Sequence, residues 1–322
     1  MPLEALESGA KSNDNGTPSL PLRHVVESQQ FTVPLLMELF DRTRQMERVV
    51  ARGGTLDYQG RILASIFYEP STRTRLCFEA AMLRLGGRVL STEHARTFSS
   101  EIDGEQVEDT IRIVGSYCDL VVIRHHETGG AARAAKVSPV PVINAGDGDA
   151  GQHPTQALLD LYTIYRERPL DGLSIAFIGE LDRGRTVRSL AYLLAKFDRV
   201  KIFFVSPPEL QMKPDILQYL ERHGVRYEVE SRIDRVLGEV DVVYQTRIRP
   251  QEVAAVAGPL RFAIDSSALR QMRSDAMILH PLPRTVELDK TVDEDPRAMY
   301  FRQAANGLYV RMALLTILLD GK

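Results

Sequence analysis

The sequence predicts an α/β protein made of two doubly wound parallel-sheet domains joined by interdomain helices, and three observations predict it. Apolar strand-like runs alternate with amphipathic helical runs along almost the whole chain, as in strand-helix-strand units whose parallel strands are covered on both faces. The length of 322 residues is too great for one ordinary core and suits two units of about 150 residues each. No internal repeat or low-complexity stretch interrupts the alternation.

Residues 1–21 are rich in small polar and acidic side chains, lack an apolar signal core, and read as a disordered tail. Order is expected from Leu22, with Thr32 at the N-cap of an amphipathic run from Val33 to Thr43. Strand runs follow at Ile62–Tyr68, Leu120–Arg124, Val140–Asn144, Ser174–Gly179, Val200–Ser206, Asp241–Thr246 and Met277–His280. Helical periodicity covers Thr74–Leu85, Val107–Tyr117, Thr155–Arg166, Thr186–Phe197, Asp215–His223 and Gly307–Leu319. The first domain is read as 22–152 and the second as 153–305, with a last helix at 306–321 packing back on the first.

Composition narrows the function. Forty basic residues nearly balance forty-three acidic ones and are scattered, which leaves no footprint for nucleic acid or an anionic membrane and favours small-molecule substrates. Cys77 and Cys118 belong to no Cys/His cluster, so neither a zinc site nor a disulfide framework is expected. Both read as buried thiols in a reducing cytoplasm. No run approaches the roughly 18 apolar residues of a membrane span, and the chain is expected to be soluble and cytoplasmic.

Open α/β sheets bind ligands beyond the carboxyl ends of their strands, so functional residues are expected there. Ser71-Thr72-Arg73-Thr74-Arg75 joins the strand ending IFYE to the helix LCFEAAMLRLGG. Such a turn aims backbone N–H groups and the positive end of a helix dipole at one spot, and hydroxyls and guanidinium groups join them. That is a phosphate site. One such cluster reads equally well as a helix cap with solvated arginines. Three more clusters at strand ends tip the balance: Arg124 after DLVVI, His153-Pro154-Thr155-Gln156 after the turn-rich NAGDG, and His280-Pro281-Leu282-Pro283-Arg284 after MIL. The two prolines of the last hold its backbone extended, with carbonyls free.

Other readings carry less. Gly179 to Thr186 nearly fits a nucleotide phosphate loop, but Arg185 stands at its essential lysine and Asp241 precedes its strand instead of ending it. His125 and His126 find no third metal ligand at a sensible spacing. Asp147 and Asp149, in a glycine-rich turn, are expected to satisfy backbone N–H groups.

The ordered set FYEPSTRTR, VVIRHH, NAGDG with HPTQALLDL, GRTVRSLAYLLAKF and ILHPLPR resembles the aspartate/ornithine carbamoyltransferase family from about residue 22 onward. HPLP in place of HCLP, and the lack of an SMG signature, point to its aspartate branch. The resemblance implies that Ser71, Thr72, Arg73, Thr74, Arg124, His153 and Gln156 bind carbamoyl phosphate, with the carbonyls of Leu282 and Pro283. It assigns Arg73, Thr74, Arg124 and His153 the task of polarising the carbamoyl group or holding the departing phosphate, without cofactor or metal. Arg185 and Arg247 would grip the carboxylates of an aspartate acceptor.

The resemblance also implies a homotrimer with shared sites, in which a loop here carrying Ser99 and Asp103 enters the neighbouring subunit. A higher assembly with regulatory or dihydroorotase chains is a further possibility it raises. Asp103 stands where the family has lysine, and Arg249, in the acceptor site, where it has glutamine. Three arrangements follow: a compensating exchange that keeps aspartate as acceptor, a different amino-acid acceptor, or a weak or silent subunit of an assembly.

Overall fold

A computed structural model describes residues 22–93, 104–248 and 262–321. Strands β1 (Ile62–Phe67), β2 (Arg88–Glu93), β3 (Leu120–His125) and β4 (Val142–Asp147) form one parallel sheet in the order β2-β1-β3-β4. Strands β5 (Ser174–Ile178), β6 (Lys201–Val205), β7 (Arg226–Glu230), β8 (Val242–Gln245) and β9 (Met277–Leu279) form a second, ordered β7-β6-β5-β8-β9 and also parallel. Central strands such as ILASIF and SIAFI are almost wholly apolar because both of their faces are covered. Each sheet winds outward in both directions from its first strand. A crevice therefore opens beyond the carboxyl ends of β1 and β3, and another beyond those of β5 and β8.

The principal helices among the described residues are α1 (Val33–Ala51), α2 (Thr72–Arg84), α3 (Val107–Val114), α4 (Gly130–Val137), α5 (Pro154–Glu167), α6 (Arg185–Leu194), α7 (Pro214–Arg222), α8 (Ser266–Gln271) and α9 (Tyr300–Asp320). Thr32 starts α1 as expected, its hydroxyl accepting the Leu35 N–H at 3.4 Å with Pro34 in the first turn. Helices α5 and α9 tie the two sheets together. The first packs on both β4 and α6, and the second on α1, α2 and α5. Because α9 is surrounded, Val310 to Leu319 are buried on every side. One continuous core runs from Phe40 of α1 through Tyr162 of α5 and Leu314 of α9 to Phe177 of β5. Smaller cores cover the outer face of each sheet. No helix among the described residues is long and apolar enough to cross a membrane.

The structure departs from the sequence reading in several places. Edge strands β2 (RVLSTE) and β7 (RYEVE) carry charged residues and lie largely in solvent, so they lack the apolar run that marked their neighbours. The short helices α4 and α8 were also not anticipated. Helix α9 starts at Tyr300, ahead of the Gly307 start read from periodicity. Cys77 and Cys118 are free but only partly buried. Cys77, on α2, lines the cavity described below, and Cys118 lies in the turn between α3 and β3, which corrects the expectation of buried thiols.

Candidate active site

Three helices begin at the mouth between the sheets. Helix α2 follows β1, α5 follows β4 and α6 follows β5, and none carries an acidic residue in its first turn. The N-cap side chains of Ser71 and His153 make no cap hydrogen bond, and Gly184 has none to make. First-turn N–H groups and three positive dipole ends thus face one region uncompensated. Between them lies a cavity of about 610 Å³.

The structure brings together every described residue to which the resemblance assigns a role. Ser71, Thr72, Arg73, Thr74, Arg124, His153, Gln156, Arg185, Arg247, Leu282 and Pro283 all line that cavity. Ser99, Asp103 and Arg249 lie outside the described residues, as do residues 1–21. How closely the centre is drawn shows at Gly146, at φ 109° on the end of β4. A methyl there would stand 3.1 Å from Arg124 Nη1, 3.3 Å from Arg185 Cζ and 3.3 Å from His153 Cδ2. Arg75, by contrast, turns away and pairs with Glu93 at 3.0 Å.

Charge defines the site. The lining holds five guanidinium groups, those of Arg73, Arg124, Arg185, Arg247 and Arg311. The only carboxylate within ion-pair distance of them among the described residues is Glu69, whose Oε2 is 3.4 Å from Arg124 and 3.7 Å from Arg185. Five cations against one anion leave a formal surplus of four, which in a largely buried cleft calls for an anionic ligand. Arg124 feels this most: burial, then the Arg185 charge, bring its pKa down to about 10, against the pull of Glu69. It stays cationic at neutral pH. His153 is buried, and burial together with the charges of Arg185, Arg124 and Arg311 holds it far below the usual imidazole range. The ring is therefore neutral, with Nδ1 3.4 Å from the Thr155 hydroxyl. It can donate one hydrogen bond from Nε2 without adding charge.

The loop after β9 forms the opposite wall. His280 Nε2 is 3.0 Å from Glu287 Oε1, its Nδ1 accepts the Leu282 N–H at 2.8 Å, and the Gln303 amide oxygen accepts its own N–H at 2.9 Å. This bracing holds Leu282 at φ 52°, a region a leucine enters only when its surroundings fix it, and the Leu282–Pro283 peptide is cis. Arg284 does not enter the cavity's polar group; it pairs with Asp293 and Tyr300.

Several participants were not read from the sequence. Glu69 looked like a strand end, and Asp160, Gln303 and Arg311 sit within apolar helical periodicity that reads as core. The only available signal was a charged residue inside an apolar run, as in GLYVRMALL. Glu127 supplies the third group that the His125/His126 pair lacked, with ligand atoms within 4.8 Å. Its carboxylate is engaged by Arg133 at 2.5 Å, His125 Nδ1 accepts the Glu127 N–H, and the two rings are stacked. Asp147 does satisfy backbone groups, accepting from the N–H of Gln152 and of Gly129.

Fold and cavity together define an enzyme that holds polyanionic small molecules between two α/β units. Residues 23–166 match the family model for the carbamoyl-P binding domain of aspartate/ornithine carbamoyltransferases, and residues 171–318 match the Asp/Orn binding domain. The chain belongs to the aspartate/ornithine carbamoyltransferase family. It is 51% identical to a chloroplastic aspartate carbamoyltransferase of Oryza sativa, over 99% of this chain and 91% of that one. Identity to the aspartate carbamoyltransferase catalytic subunit of Methanopyrus kandleri is 47%, over 93% and 98% of the two chains. Among solved structures, aspartate transcarbamoylase of Trypanosoma cruzi in complex with N-(phosphonacetyl)-L-aspartic acid superposes with TM-score 0.86 at 39% identity, covering 92% of this chain and 96% of that one. The catalytic subunit from M. jannaschii gives 0.85 at 41%, covering 93% and 98%.

Proposed function

We propose that the chain transfers the carbamoyl group of carbamoyl phosphate to the α-amine of L-aspartate, giving N-carbamoyl-L-aspartate and phosphate. The observation that carries this reading is the surplus of four positive charges around one cavity. A carbamoyl phosphate dianion and an aspartate with two carboxylates and an unprotonated amine bring four negative charges. Relatives named aspartate carbamoyltransferase favour aspartate as the acceptor over the other arrangements left open by Asp103 and Arg249.

In this reading the α2 N-terminus with Ser71, Thr72, Arg73 and Thr74 takes the phosphate, and Arg124 spans phosphate and carbamoyl oxygen. Neutral His153 donates to the same carbonyl oxygen, so its polarisation does not compete with the phosphate for charge. The carbonyls of Leu282 and Pro283 and the Gln156 amide oxygen accept from the carbamoyl NH₂. Arg185 and Arg247 hold the acceptor carboxylates and set its amine against the carbamoyl carbon. The amine nitrogen bonds to that carbon, the carbon–oxygen bond to phosphate breaks, and the amine proton leaves with the phosphate.

A homotrimer with shared sites fits the surface as well as the resemblance. Leu90 and Tyr117, 47% and 59% exposed, flank an apolar groove with Ile66 and Val114 on the first sheet, and the segment holding Ser99 and Asp103 follows β2 in sequence. Light scattering of the purified chain should give a trimer; a stable monomer would remove the shared-site reading.

The test of function is product formation from carbamoyl phosphate and L-aspartate beside a panel of other amino acids, for wild type and Asp103→Lys. Aspartate turnover by wild type upholds the proposal. Activity only in Asp103→Lys, or preference for another acceptor, rejects it.

A further inference from the structure

One buried carboxylate touches both sides of the cavity without lining it. Asp160 lies on α5, one turn beyond Gln156, and is fully buried. Its Oδ1 accepts from Gln156 Nε2 at 2.8 Å and from Gln303 Nε2 at 2.6 Å, while Oδ2 accepts the Tyr244 hydroxyl at 2.7 Å. An ionised carboxylate only accepts hydrogen bonds. Each glutamine must therefore offer Asp160 its NH₂ group and point its oxygen elsewhere.

For Gln303 the other end is visible: its oxygen accepts the His280 N–H at 2.9 Å, at the root of the loop carrying Leu282 and Pro283. For Gln156 the oxygen has no hydrogen-bond partner among the described residues, and the side chain lines the cavity. We infer that Asp160 is a positioning residue for the donor site, fixing the amide of Gln156 with its oxygen toward the cavity and anchoring the opposite carbonyl wall through Gln303. The inference rests on the reading that Gln156 receives the carbamoyl NH₂. Were the amide reversed, NH₂ would face NH₂ and the donor would be misread. Burial lifts the Asp160 carboxyl to about 6, but the bonds from Gln303, Tyr244 and Gln156 and the Arg311 charge oppose this and leave it ionised at neutral pH.

Asp160→Asn keeps the shape but removes the charge, so the bond that fixes the Gln156 amide loses its charge assistance and the amide is freer to turn. Carbamoyl phosphate is titrated calorimetrically into wild type, Gln156→Ala, Asp160→Asn and the double variant, and the aspartate KM is read at saturating donor. Gln156→Ala and Asp160→Asn are each expected to raise the donor Kd about ten- to a hundredfold. In the Gln156→Ala background Asp160→Asn should add less than about threefold. Its aspartate KM should stay within about threefold of wild type, which general damage to the fold would not spare.

No loss in Gln156→Ala overturns the donor role of Gln156 and this inference with it. Loss in Gln156→Ala with none in Asp160→Asn, or full additivity of the two, overturns the inference alone. If Asp160→Asn does not fold, Asp160→Ser takes its place, its short hydroxyl out of reach of the Gln156 amide. Its donor Kd must then rise while its aspartate KM stays within about threefold of wild type, and an unchanged donor Kd counts against Asp160.

Discussion

A single methyl group tests whether the cationic centre is as tightly drawn as the geometry says. Gly146→Ala carries two separable costs. The backbone there is at φ 109°, which an alanine adopts only with strain, worth about 1–3 kcal/mol of stability and a Tm lowered by roughly 2–10 °C in a chain of this size. The methyl would also meet Arg124, Arg185 and His153 at 3.1 to 3.3 Å, so each must retreat by a few tenths of an ångström. The arginines can bend away. His153 cannot move as freely, since its N–H is held by Ser189 Oγ at 2.8 Å and its ring is buried. Weakening one charge-assisted hydrogen bond and misaligning the imidazole removes about 2–3 kcal/mol from the transition state. Steady-state kinetics should therefore show kcat/KM lower by about a hundredfold. Gly172→Ala is the control, because Gly172 has φ 77° with nothing within 4 Å of the added methyl. It should lose stability and keep its activity. Wild-type kcat/KM in a folded Gly146→Ala chain would refute the convergence of the three side chains.

Other consequences follow from the same charges. Arg311 is buried, makes no ion pair or hydrogen bond among the described residues, and stacks on Phe78 at 5.0 Å. Arg311→Met should leave denaturant stability equal or raise it by about 1–4 kcal/mol while weakening carbamoyl phosphate binding; a large loss of stability would show that its charge is compensated. His24 and His125 are held near a pKa of about 4 by burial, and His153 well below its usual value. Below pH 6.5 the unfolded chain takes up protons these histidines refuse when folded, so stability falls as pH falls, by about 1.4 kcal/mol per pH unit for each. Asp160, raised to about 6, opposes this between pH 6 and 4 by taking a proton when folded. Urea denaturation at pH 5 and 7 should find the chain less stable at pH 5, and a higher stability at pH 5 would contradict the burial of neutral imidazoles.

The fold was legible where burial on both faces forced a strong pattern. All seven strands read from apolar runs are present, including Leu120–His125 and Met277–Leu279, whereas RVLSTE and RYEVE escaped because an edge strand is partly solvated. The donor site was legible because its chemistry sits in short turns at strand ends, where serine, threonine and arginine have no packing reason to cluster. Asp160, Gln303 and Arg311 were not, because their positions on α5 and α9 follow the helical period and only the third dimension shows what they face. Glu69 reads as the end of β1 until the second domain brings Arg185 to it.

The claim beneath all of this is that guanidinium groups from both domains share one polyanion. Calorimetric titration with N-(phosphonacetyl)-L-aspartic acid, which joins a phosphonate to two carboxylates, tests it most directly. Binding at one site per chain, weakened about a hundredfold or more by Arg124→Gln and likewise by Arg247→Gln, is the predicted result. Absence of binding, or binding that either substitution leaves unchanged, would contradict it.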